Sequence, residues 1–224
     1  MLNSARITCD FLGLQPGDTA LLCMPLDYIA GKMVVVRSLE RRMHLLSVTP
    51  SGHPLSDASL SQLAVPDEEI TFAAMVPLQV YNSLQIPEEN ERLRRIRHLI
   101  IGGGAIDERL AEALHDFPHA VWSTYGMTET LSHIALRRLN GPDASDWYRP
   151  FDGVKTRLDS DGCLVIDAPA VCPGTLVTND RAELRSYGRQ DNATASCFRI
   201  LGRKDNVIDS GGIKIQIEEV EHRL

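Results

Sequence analysis

Apolar and polar residues recur along this chain at two periods, and the passage from one to the other divides it. Leu2, Ala5, Cys9 and Leu12 share one helical face, and Gly13 with Pro16-Gly17 predicts where that helix stops. Thr19 to Cys23 reads as a buried strand, residues 29–39 as a helix and 44–48 as the next strand. Ile70 to Val76 is strand-like, Pro77 suits a helix start, and a charged helix over 88–96 leads into the apolar strand His98 to Ile101. Asp107 to His115 is amphipathic with an acidic first turn that suits its dipole, and 119–123 returns as strand. Repeated helix–strand alternation of this kind predicts an α/β fold, with a mostly parallel sheet covered by helices.

From about residue 133 short strands take over. They are expected at 133–137, 154–158 and 163–167, the last two joined across Ser160-Asp161-Gly162. The polar stretch 181–196 has little periodicity and reads as a mobile surface loop. Ile213 to Ile215 is strand-like, and Ile217, Val220 and Leu224 begin an amphipathic helix that reaches the last residue uncapped. The expected organisation is an α/β subdomain over 1–132, an antiparallel β subdomain over 133–203, and a hinge with the start of a further domain over 204–224.

Composition acts mainly by exclusion. A chain of 224 residues, 43% hydrophobic and 24% charged, is of globular type and long enough to bury a core. The net charge of −7 argues against nucleic acid or an anionic membrane as its partner. Arg92, Arg94, Arg95 and Arg97 alternate with Leu93 and Ile96, as the solvated face of a helix does. The five cysteines are odd in number and form no CxxC pair, so neither a zinc site nor a disulfide framework is signalled. The first residues lack the order of a signal peptide, and the apolar runs are too short to span a membrane. A soluble cytoplasmic protein with reduced thiols is expected.

Three segments carry candidate chemistry. In Leu99-Ile-Ile-Gly-Gly-Gly-Ala-Ile106 an apolar strand runs into Gly102, Gly103 and Gly104, where a flat ligand could lie against backbone; the alternative is a tight strand-to-helix turn. Neither the dinucleotide fingerprint nor the Walker loop is present. In Ser123-Thr-Tyr-Gly-Met-Thr-Glu-Thr130, hydroxyls suit phosphate oxygens, Tyr125 offers a face to a base, and Glu129 is a hard oxygen ligand suited to Mg²⁺; the alternative is a polar strand-exit loop. The third runs from Leu201 to Ile215 and is preceded by Val177-Thr-Asn-Asp180. There Asp180 could accept both hydroxyls of a ribose with Arg203 beside it, or else Asp180 is a turn former and the rest a Gly-turned hairpin.

In their order and spacing these segments resemble the adenylate-forming superfamily of acyl-CoA synthetases, luciferases and peptide-synthetase adenylation domains. The resemblance covers nearly the whole chain. It implies that Tyr125 packs on adenine, that Thr128 touches the α-phosphate and that Glu129 holds Mg²⁺, with Gly102, Gly103, Gly104 and Gly126 among the nucleotide-binding residues. It further implies that Asp180 and Arg203 bind ribose, that Asp205 is the hinge, and that Gly211 and Gly212 line the pantetheine path. Met24-Pro-Leu-Asp-Tyr-Ile-Ala-Gly-Lys-Met33, followed by Arg37, and Tyr125-Gly-Met-Thr-Glu-Thr-Leu-Ser-His-Ile-Ala-Leu136 resemble the o-succinylbenzoate-CoA ligase branch. Arg37, Ser132 and His133 are then the candidates for the acid pocket. A buried Arg37 would suit a second carboxylate, whereas a surface arginine would simply end a helix. Asp27-Tyr28 departs from the aromatic–His pair common in relatives.

The function so implied is ATP-dependent acid-CoA ligation through an acyl-adenylate, in menaquinone biosynthesis, with ATP, Mg²⁺ and CoA as cofactors or co-substrates. The implied partners are a small carboxylic acid, ATP and CoA, without nucleic acid, and a homodimer is compatible with the reading. The superfamily's phosphate loop with its lysine, and its C-terminal lysine domain, have no counterpart in the sequence. An internal piece of the enzyme, with little or no turnover by itself, is therefore expected. The alternatives are another aryl- or fatty-acyl-CoA ligase, or a non-catalytic nucleotide-binding or assembly module.

Overall fold

The computed structural model describes residues 1–61, 69–188, 194–210 and 213–216. They form two compact units, Met1–Asp146 and Trp147–Leu224. The first unit is built on strands β1 (Thr19–Leu22), β2 (His44–Ser47), β3 (Phe72–Met75), β4 (His98–Ile101), β5 (Ala120–Met127) and β6 (Ser132–Arg138), in the spatial order β2-β1-β3-β4-β5-β6. All neighbours pair parallel except β5 and β6. Every residue of β1 and β3 is buried, as the inner strands of a parallel sheet covered on both faces require.

The helices of this unit are α1 (Leu2–Leu12), α2 (Ile29–Arg41), α3 (Pro77–Gln85), α4 (Pro87–Arg95) and α5 (Glu108–Leu114). Helix α1 ends as expected at Gly13, whose φ of 68° gives the left-handed cap. Helices α3 and α4 each begin on a proline, where the missing N–H costs nothing. The Asp107 carboxylate caps α5 by accepting from the Leu110 N–H at 2.7 Å. Leu21, Ala73, Met75, Leu99, Ile101 and Val121 from the strands meet Val80, Leu93, Leu110 and Leu114 from the helices in one core. The arginines of α4 and its exit are engaged locally: Arg94 donates to the Asp116 carbonyl, Arg95 pairs with Glu91, and Arg97 pairs with Glu69.

One expectation is corrected here. Strand β5 does not stop at 123 but continues through Tyr125 and Gly126 to Met127, and β6 returns beside it after a three-residue 3₁₀ turn at Thr128–Thr130. So short a link cannot make the long crossover a parallel return needs, so β6 joins the same sheet antiparallel. Antiparallel structure thus begins inside the first unit, which runs to Asp146.

The second unit contains β7 (Arg149–Pro150), β8 (Lys155–Leu158), β9 (Cys163–Asp167), β10 (Leu176–Gly188) and β11 (Thr194–Arg203). The last four form an antiparallel sheet ordered β11-β10-β9-β8. Gly162, at φ 76°, turns the β8–β9 hairpin as expected, with Asp159 accepting from the Asp161 and Cys163 N–H groups. The stretch 181–196, expected as a loop, is strand in its described part: β10 and β11 pair from Asp180↔Arg203 to Gly188↔Thr194. Its period of two was masked because Ala182 is the sole buried residue from 181 to 186. Strands β12 (Val207–Ser210) and β13 (Ile213–Gln216) pair antiparallel. Gly211, Gly212 and the expected helix over 217–224 lie outside the described residues.

Candidate functional site

The carboxyl ends of β1, β3, β4 and β5 open on a cavity of about 250 Å³ within the first unit. An open α/β sheet offers its ligand site at this edge, because loops diverge there. Met24, Val76, Gly102 and Gly103 lie on its wall with Thr124 and Thr128. The glycine at 102 is enforced by β5: a Cβ there would stand 2.2 Å from Thr124 Oγ1. Gly103 takes φ 79°, which an L side chain disfavours. The three-glycine exit therefore leaves bare backbone beside the cavity.

The β5–β6 connection forms another wall. Pairing slips between Tyr125 and Gly126, so that Gly126 lies opposite His133; a Cβ on Gly126 would sit 2.2 Å from the Ser132 carbonyl oxygen. Leu131 and Ser132 both have positive φ, 55° and 115°, which is strained backbone for residues with a Cβ. Neighbouring hydroxyls hold the turn. Thr130 Oγ1 accepts from the Met127 N–H at 3.0 Å and lies 2.6 Å from the Ser132 carbonyl, and Ser4 Oγ donates to the Leu131 carbonyl at 3.3 Å. Tyr125 is half-buried, while Thr128 and Glu129 are exposed.

Behind the cavity lies a buried polar cluster. Arg37 on α2 is 1% exposed, and its Nη2 donates to Ser132 Oγ at 3.2 Å and to Thr8 Oγ1 at 3.4 Å. Its Nε has no hydrogen-bond partner, and no carboxylate among the described residues pairs with it. Burial lowers the guanidinium from 12.5 to about 10. His133 is also buried, with Nε2 2.9 Å from Thr8 Oγ1 and Nδ1 3.2 Å from Ser132 Oγ. Desolvation first, and then the nearby Arg37 charge, hold its imidazole well below the ordinary 6.5, so the ring is neutral. Arg37 thus meets Ser132 and His133, some 95 residues further along the chain, at one wall of the cavity.

Two residues of this site were not foreseen from sequence. Thr8 belongs to the buried stripe of α1, Ser4-Ala5-Thr8-Cys9-Leu12, and two hydroxyls one turn apart in an apolar stripe are the signal that could have found it. Gly31 lets α2 start against the chain: a Cβ would stand 2.3 Å from the Pro25 carbonyl oxygen.

Asp180, Arg203 and Asp205 lie in the second unit. Arg203 grips Asp205 through Nε at 2.9 Å and Nη2 at 2.7 Å, and its Nη1 lies 3.5 Å from Asp180. Hydrogen bonding from Arg203 draws the Asp205 carboxyl below its usual range. Among the described residues no three His, Cys, Asp or Glu side chains converge as a metal cage. No described helix is long and apolar enough to cross a membrane.

Comparison with known proteins follows the same lines. The sequence pattern of the family described as AMP-binding enzyme matches residues 1–178. The 2-succinylbenzoate–CoA ligase of Bacillus cereus (strain AH820) is 26% identical over 233 aligned residues, which cover 93% of this chain and 47% of the relative. The chain therefore spans about half the length of the curated relatives it matches. Among solved structures, an acyl-CoA synthetase (AMP-forming)/AMP-acid ligase II-like protein from Dyadobacter fermentans DSM 18053 is 36% identical, with a TM-score of 0.77 over 99% of this chain and 59% of its own. The Bacillus subtilis O-succinylbenzoate coenzyme A synthetase in complex with ATP and magnesium ion has the same fold at 22% identity, with a TM-score of 0.70 over 99% of this chain and 50% of its own.

Proposed function

Because this chain belongs to the AMP-binding enzyme family, we propose that the protein carrying it is an AMP-forming acid–CoA ligase, and that its acid bears a second carboxylate, as 2-succinylbenzoate does. The observation that carries the reading is Arg37, a buried guanidinium on the cavity wall with an unpartnered Nε and no carboxylate of its own. A dry, unpaired cation is costly unless a ligand supplies its counter-charge, and a planar guanidinium suits a carboxylate.

In the proposed reaction the acid's other carboxylate attacks the α-phosphorus of ATP and pyrophosphate leaves. CoA thiol then displaces AMP, a far better leaving group than oxide. The exposed Thr128 hydroxyl is free to donate to an α-phosphate oxygen as charge builds there. Tyr125 and the bare backbone of Gly102, Gly103, Gly104 and Gly126 would hold the flat adenine. A single exposed carboxylate, Glu129, fits Mg²⁺ in the manner this ion prefers, with phosphates and water filling its other positions. When bound, the ion would offset phosphate charge. We assign ribose to Asp180 and Arg203, the hinge to Asp205, and the pantetheine path to Gly211 and Gly212. Ser132 and His133 complete the acid pocket around Arg37.

A thermal-shift titration of this chain with a non-hydrolysable succinylbenzoyl-adenylate mimic, run beside its benzoyl and fatty-acyl counterparts, tests the reading. The succinylbenzoyl compound should stabilise most, each tenfold in affinity adding about 1.4 kcal/mol at equal concentration. Equal shifts from the benzoyl compound would remove the second carboxylate from the assignment. No shift from any compound would remove the acyl-adenylate site.

A further inference from the structure

Thr8 lies on the first helix of the chain, outside every motif above, yet Arg37 and His133 both reach its hydroxyl, as they do that of Ser132. We propose that Thr8 is a specificity-determining positioning residue: its hydroxyl fixes both side chains in the arrangement that presents the Arg37 guanidinium to an acid's second carboxylate. The proposal rests on the reading of Arg37 given above.

The argument is one of donors and acceptors. Thr8 is fully buried, and its hydroxyl donates to the Ser4 carbonyl at 3.1 Å. A hydroxyl has one hydrogen, so Thr8 Oγ1 meets its other neighbours only as an acceptor. Arg37 Nη2, at 3.4 Å, is always a donor; His133 Nε2, at 2.9 Å, must therefore carry the proton of the neutral ring. That leaves a lone pair on Nδ1, which accepts from the Ser132 hydroxyl at 3.2 Å. Ser132 Oγ, having spent its hydrogen, accepts from Arg37 Nη2 at 3.2 Å. With the Thr8 hydrogen given to Ser4, these contacts form one consistent run of donors and acceptors.

Two consequences bear on the ligand. With its imidazole held neutral, His133 adds no second charge, so the wall presents the single cation of Arg37. Both hydrogens of Nη2 are committed to Thr8 and Ser132, while Arg37 makes no other hydrogen bond among the described residues. The hydrogens on Nη1 are thus left for an anion in the cavity, and Nη2 ties the guanidinium to Thr8 and Ser132. Helix α1 reinforces this one turn earlier, where Ser4 grips the strained turn that delivers Ser132 and His133.

The test compares two acyl-sulfamoyl adenosines, one with and one without the second carboxylate, by calorimetric titration of the natural protein that contains this chain. Thr8→Val keeps the shape and removes the acceptor. It should weaken the dicarboxylate-type compound about tenfold, as loss of a hydrogen bond to a charged group does, and change the other by less than about twofold. Thr8→Ser, which restores the hydroxyl, should bring affinity back to within about threefold of the natural value. Equal weakening of both compounds, no weakening, or no rescue by serine would each overturn the proposal.

A second measurement needs no variant of Thr8. The ¹⁵N shifts of the His133 ring, assigned by their loss in His133→Gln, report which nitrogen carries the proton. Protonation at Nε2 is expected, and protonation at Nδ1 would overturn the proposal even if Thr8→Val failed to fold. If the unaltered protein bound both compounds equally, the reading of Arg37 itself would fall, and this proposal with it.

Discussion

Arg37 illustrates what a single residue can cost a fold. Lowering a guanidinium from 12.5 to about 10 corresponds to roughly 3 kcal/mol spent on desolvating its charge. Methionine has a similar length and no charge to desolvate, so Arg37→Met is expected to stabilise the chain by about 1–3 kcal/mol in urea denaturation while erasing any preference for a dicarboxylic acid. A variant less stable than the natural chain would mean that the guanidinium holds the fold together rather than waiting for a ligand. At this scale the sequence was partly legible. The candidates Arg37, Ser132 and His133 could be named, but burial decides whether an arginine near a helix end is a surface group or a buried one, and burial depends on β6 and α1, distant in the chain. Thr8 was legible only in part, because two hydroxyls in an apolar stripe mark it as unusual without saying which side chains will converge on it.

Among the elements, the β5–β6 pair does most to shape the cavity, and its critical residue is the one without a side chain. In Gly126→Ala the new Cβ would press on backbone, 2.2 Å from the Ser132 oxygen and 2.4 Å from the His133 Cα, so the bulge must shift. The expected cost is about 2 kcal/mol or more, measured by chemical denaturation. Gly174→Ala, where an added Cβ meets nothing within 4 Å, should stay within about 0.5 kcal/mol. Comparable losses at both positions would show that the bulge tolerates a side chain. Helices and inner strands were well read from apolar period and punctuation, since Gly13, Pro77 and Asp107 act through local backbone rules. The end of β5 and the strand character of 181–188 were not, because polar residues in a strand are held by pairing with a partner that the local pattern does not contain.

For the whole molecule, the buried polar cluster sets a dependence of stability on pH. Unfolded His133 takes up a proton near 6.5, whereas the native ring is held well below that value by burial and by Arg37. The unfolded state therefore binds more protons as pH falls below about 6.5. Stability should decline there by up to about 1.4 kcal/mol per pH unit from this residue, and be indifferent to it above. Denaturation midpoints followed from pH 7.5 to 5 should fall less steeply in His133→Gln; identical slopes would mean that the ring is already accessible to protons in the native state.

The burial of Arg37 has one more consequence. Mobile ions weaken the attraction between exposed charges beyond a Debye length, about 8 Å in physiological salt, and they act on groups such as Arg95 and Arg97, each more than half exposed. They cannot enter the dry layer between α1, α2 and β6. A carboxylate docked on Arg37 would therefore feel its counter-charge almost undiminished by electrolyte, so that the choice between one acid and another should hold across cytosols of very different ionic strength.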